Sequence, residues 1–101
     1  LHVDDLAAAC VLMMEKLDAK DLISEKISHL NVGSNQEIKI SNLAQLIKEA
    51  IGYKGILTFA DIKSDGTPRK LLDSKRINAL GWNQKIPLSR GIVSTYSEFK
   101  N

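Results

Sequence analysis

The chain begins with a hydrophobic pattern that has no polar side. Residues 6–14 are nine consecutive apolar positions, and at about 100° per residue they leave no polar face on a helix. Asp4 or Asp5 is placed to cap that helix, expected over residues 4–17, because a carboxylate oxygen accepts the first orphan N–H groups. A helix that is apolar all round must be covered all round, and the rest of the chain offers too few elements to do so. The pattern therefore predicts a partner on this helix, either another domain or a second copy of the chain.

Further along, the hydrophobic period changes. Residues 28–32 predict a strand entering the turn Gly33-Ser34-Asn35, and Ile38 and Ile40 alternate with polar neighbours as a second short strand. Leu43, Leu46, Ile47, Ala50 and Ile51 follow the spacing of one buried helical stripe. Ser41 or Asn42 would cap that helix, and Gly52 would end it in a left-handed conformation. Residues 56–60 predict a third strand, 63–70 a polar loop, and Leu71-Leu72-Asp73 a short extended piece. Ser74 is placed to cap a brief helix ending at Gly81. Pro87 suits the start of a last helix with Leu88, Ile92, Tyr96 and Phe99 on its apolar face. The fold class expected from this order is α/β, a small mixed helix-strand unit.

Composition narrows the picture. With 101 residues, 44% hydrophobic and 26% charged, the chain suits one folded domain with a single core. The net charge of +2 is too small to argue for nucleic acid or a membrane surface as a partner. The longest apolar run is far below the roughly 20 residues that cross a bilayer. A single cysteine, Cys10, excludes an intrachain disulfide and a cysteine-based metal cluster, and it fits a reducing compartment, with the cytoplasm as the default. On an apolar helix Cys10 is expected to pack in the core. His2, Asp4 and Asp5 invite a metal reading, but aspartates ahead of an apolar helix are usually caps. Trp82, following a helix end, predicts a packing anchor. The first residue is Leu1, and no signal peptide is visible, so the start is expected to be a cut inside a longer protein.

The segment richest in chemistry is Ser64-Asp65-Gly66-Thr67-Pro68-Arg69-Lys70. Gly66 permits positive φ and close backbone approach, while Pro68 fixes φ so that the cations behind it have less entropy to lose. Asp65 can accept hydrogen bonds from hydroxyl or amide groups. Arg69 offers a planar fork for phosphate or carboxylate, and Lys70 a compact charge on a flexible stem. In an extended loop these two cations would point to opposite sides, so both need not face a ligand. A loop of this composition is, by itself, more often a solvated turn.

Several segments in order carry a resemblance along the whole chain: Leu1-His2-Val3-Asp4-Asp5-Leu6-Ala7, Asn31-Val32-Gly33-Ser34, Glu37-Ile38, Asp65-Gly66-Thr67-Pro68-Arg69-Lys70-Leu71-Leu72-Asp73 and Leu80-Gly81-Trp82. In these the chain resembles the GDP-L-fucose synthases, extended members of the short-chain dehydrogenase/reductase superfamily. The opening segment is shared widely among extended reductases and epimerases, whereas the long loop segment is particular to this family. Asn35 stands where the family commonly has glycine and Ser64 where it commonly has proline. Asn tolerates the left-handed region, and Ser suits a turn.

The resemblance implies that residues 1–101 are the carboxy-terminal, substrate-binding portion, with the Rossmann domain absent. The first helix would pack on that missing domain. It implies NADP(H) held mainly by the missing domain, a GDP-sugar substrate, and conversion of GDP-4-keto-6-deoxy-D-mannose to GDP-L-fucose by a parent enzyme expected to be a homodimer. Substrate contacts carry over to Asp65 and Lys70, with Arg69 matching the motif. No Gly-rich dinucleotide fingerprint occurs in the chain. The family's Ser, Tyr and Lys for reduction and its Cys and His for epimerisation are expected outside it, on the reading that neither Tyr53 nor Tyr96 has the Tyr-x-x-x-Lys partner spacing. The isolated portion should then be catalytically silent. Two alternatives stay open: the substrate domain of another sugar-nucleotide epimerase or dehydratase, or a non-enzymatic module that oligomerises through its first helix.

Overall fold

The computed structural model describes residues 1–60, 67 and 69–101. Among them the chain forms five helices, α1 Val3–Lys16, α2 Ala19–Ser24, α3 Ile40–Ile51, α4 Lys75–Ala79 and α5 Leu88–Lys100, and no strand. The α/β expectation is therefore corrected for the described residues. A strand exists only where a neighbour completes its hydrogen-bond ladder, and residues 28–32 and 56–60 have none. Their side chains agree: Ile56 and Phe59 are 86% and 63% exposed. At Ile38 and Ile40 the apparent alternation has another origin, since Ile40 is already the first residue of α3.

Two compact units make up the chain. The first comprises Leu1–Gln36 and Leu71–Ile86 and contains α1, α2 and α4. Its core is Ala9, Ile77 and Trp82, with Leu12, Met13 and Val32 packed against them. Helix α1 turns Asp5, Ala9, Leu12 and Met13 inward at helical spacing, and the other sides stay open. Val3, Leu6, Val11 and Met14 are exposed. Cys10, expected in the core, lies among those exposed residues.

The cap of α1 is also corrected. His2 occupies that position, and its Nδ1 accepts the Asp4 N–H at 3.2 Å. Helix α2, which the hydrophobic pattern does not announce, starts where the Asp18 N–H donates to Asp21 Oδ2 at 2.9 Å. At α4, Ser74 holds the expected N-cap position, but its hydroxyl donates to Gly33 O at 3.2 Å. Asp73 serves the helix instead, accepting the Lys75 N–H at 3.0 Å.

The second unit comprises Glu37–Lys70 and Pro87–Asn101 and pairs α3 with α5. Leu43, Leu46, Ala50 and Ile51 of α3 are half-buried, whereas Ile47, expected on the same stripe, is exposed; Leu88, Ile92 and Tyr96 of α5, which follows Pro87 as its N-cap, are half-buried too. Phe99, counted on the apolar face of α5, is 86% exposed near the helix end. Lys39, rather than Ser41 or Asn42, precedes α3, and Gly52 ends it at φ +69°, a left-handed conformation that costs glycine little. No helix among the described residues is long and apolar enough to cross a membrane.

Candidate functional site

Of the polar loop, Asp65, Gly66 and Pro68 lie outside the described residues, while Thr67, Arg69 and Lys70 are exposed. Arg69 is taken up by a side chain 32 positions earlier. Its Nε donates to Glu37 Oε1 and its Nη2 donates to Glu37 Oε2 at 2.8 Å. Such a two-point fork requires the carboxylate and guanidinium planes to align. The Nη1 side of the guanidinium takes no part in it, and Lys70 stands outside the pair.

The hydrogen bond from Arg69 holds the Glu37 carboxyl below its ordinary value, with the guanidinium's charge adding to the effect. Reciprocally, the hydrogen bond to Glu37 and its negative charge raise Arg69 above its ordinary value. Both groups are therefore ionised at neutral pH, and together they are neutral. At the loop's end, the structure thus separates the two cations that composition alone leaves equivalent.

The other segments singled out in the sequence meet within the first unit. Trp82 is 5% exposed and donates its indole N–H to Asp5 O at 2.9 Å, so the opening segment is tied to the segment around Gly81. The buried Asp5 carboxylate accepts the Lys85 N–H with Oδ1 and the Ile86 N–H with Oδ2, each at 3.0 Å. Those contacts give Asp5 a structural occupation in place of the cap. Gly33 approaches the segment after the loop closely: a Cβ placed on it would lie 3.1 Å from Leu72 Cβ and 3.4 Å from Ser74 Oγ. Asn35, at φ +55°, adopts the left-handed turn and donates from Nδ2 to Asn78 Oδ1 at 3.1 Å.

No protein-family model matches the chain. It is 46% identical over 98% of its length to the GDP-L-fucose synthase of Escherichia coli (strain K12), covering 32% of that protein. It is also 46% identical over 95% of its length to the probable GDP-L-fucose synthase 1 of Oryza sativa subsp. japonica, covering 27% of it. The chain belongs to the GDP-L-fucose synthase family. It spans a third or less of the length of these relatives. The solved GDP-mannoheptose C4 reductase from Campylobacter jejuni with NADP bound matches 100% of the chain and 31% of its own, at a TM-score of 0.82 and 36% identity.

Two features of this family member depart from the expectations above. Glu37 appears there only as part of a short matching segment, and nothing in its spacing announces Arg69 as a partner. Its sign was the available signal, an acidic residue in a motif whose other long segment ends in two cations. The reading that Tyr96 lacks a Tyr-x-x-x-Lys partner is corrected, since Lys100 stands four positions after it. That spacing is equally one helical turn on α5, and Lys100 Nζ lies over the Tyr96 ring, 5.4 Å from its centroid. The contact is a cation–π pair at a helix end.

Proposed function

We propose that this chain is the part of an NADP-dependent GDP-sugar epimerase/reductase that closes over the GDP-sugar, converting GDP-4-keto-6-deoxy-D-mannose to GDP-L-fucose in the full-length protein. The observation that carries the proposal is the 46% identity to the Escherichia coli GDP-L-fucose synthase across nearly the whole chain. Asp65 and Lys70 hold the substrate, and Arg69 belongs to the same motif. An ammonium at Lys70 offsets negative charge on the diphosphate, and a carboxylate at Asp65 accepts from hydroxyl or amide donors.

Hydride exchange at the sugar carbonyl is the chemistry NADP(H) supplies when bound. The dinucleotide fingerprint does not occur in this chain, so the cofactor belongs to the rest of the protein. So do the groups that move protons on the two carbons flanking the ketone, and the isolated chain has no activity of its own. Helix α1 docks on the Rossmann domain, a role supported by the exposure of Val3, Leu6, Val11 and Met14. The full-length protein works in the cytoplasm as a homodimer.

A second reading is a reductase of a different GDP-sugar, favoured by the likeness to the Campylobacter jejuni GDP-mannoheptose C4 reductase. Supplying the full-length protein with GDP-4-keto-6-deoxy-D-mannose and NADPH separates the two. Formation of GDP-L-fucose is expected. No turnover of that substrate alongside reduction of a GDP-keto-heptose would replace the first reading by the second.

A further inference from the structure

We propose that Glu37 is a positioning residue for Lys70: its fork on Arg69 fixes the backbone next to Lys70, leaving Lys70 as the cation that meets the diphosphate of the GDP-sugar. This rests on the loop being a GDP-sugar contact. Glu37 precedes α3 and Arg69 directly precedes Lys70, and the two-point bond between Glu37 and Arg69 sets orientation as well as distance. Glu37 and Arg69 side chains are 47% and 70% exposed, respectively. A pair so open to water adds little to folding, so orientation is its main contribution. Charge points the same way. Glu37 balances Arg69, whereas Lys70, the next residue, is exposed and outside the neutral pair. Holding Arg69 and its neighbour Lys70 in place before substrate arrives lowers the entropy lost on binding.

The test is steady-state kinetics of the full-length protein with the GDP-sugar varied, comparing Glu37→Ala, Arg69→Ala, the double variant, Glu37→Asp and Lys70→Ala. Each of the first two should raise KM roughly three- to fivefold with kcat nearly unchanged. The double variant should be no worse than either single, since both remove one interaction, and Glu37→Asp should recover part of the loss. An unchanged KM in Glu37→Ala with a raised KM in Arg69→Ala, or single effects that multiply in the double, would overturn the proposal by making Arg69 a ligand contact independent of Glu37. Lys70→Ala keeps the failures apart. If it raises KM while Glu37→Ala does not, only the positioning role falls; if it also leaves KM unchanged, the substrate-loop reading falls with it.

Discussion

Asp5 shows how much one buried side chain can organise. Its two oxygens satisfy the backbone N–H groups of Lys85 and Ile86, and its carbonyl receives Trp82, so a residue near the amino terminus fixes a segment some 80 positions later. Asp5→Ala strands both N–H groups and should cost roughly 2 kcal/mol in urea unfolding of the full-length protein. Asp5→Asn keeps one acceptor and should cost less. At Gly33 the close approach of Leu72 predicts a loss of about 1 kcal/mol for Gly33→Ala by the same measurement. The Glu37–Arg69 pair carries a pH signature. Because the folded carboxyl lies below its ordinary value, the pair's contribution is complete above that value and is lost as pH falls through the lowered one. Hydrogen exchange near the end of the loop should therefore be steady at neutral pH and increase only on acidification, once the intrinsic pH dependence is removed. Glu37→Gln should abolish that acid transition.

Helices were legible to different degrees, for physical reasons. The stripe on α3 and its stop at Gly52 could be read because both depend on local spacing and backbone freedom. Helix α2 is six residues long, too short for a periodic stripe, and its start depends on the Asp18–Asp21 contact. The expected strands fail for the opposite reason, since a strand depends on a neighbour that local alternation cannot supply. On α1 the all-apolar pattern correctly announced faces that this chain leaves open, although Cys10 was assigned to the wrong one. If those faces meet the rest of the protein, replacing Val11 and Met14 together by Lys should lower the melting temperature of the full-length protein by several degrees, as loss of buried apolar area requires. An unchanged melting temperature would mean that they face solvent.

At the scale of the whole molecule, the segments that reveal the family divide by task. Those around Asp5, Gly33 and Trp82 join within the first unit and hold it together, while Glu37 and Arg69 join in the second, next to Lys70. The motif residues were visible in the sequence, but their division between scaffold and site was not. That division depends on contacts between positions 32 to 81 residues apart. The most direct test of the account is a GDP titration of the full-length protein beside Asp65→Ala and Lys70→Ala. Saturable binding by the unaltered protein, weakened about tenfold in each variant, is the predicted result. No binding of GDP, or an affinity unchanged in both variants, would contradict it.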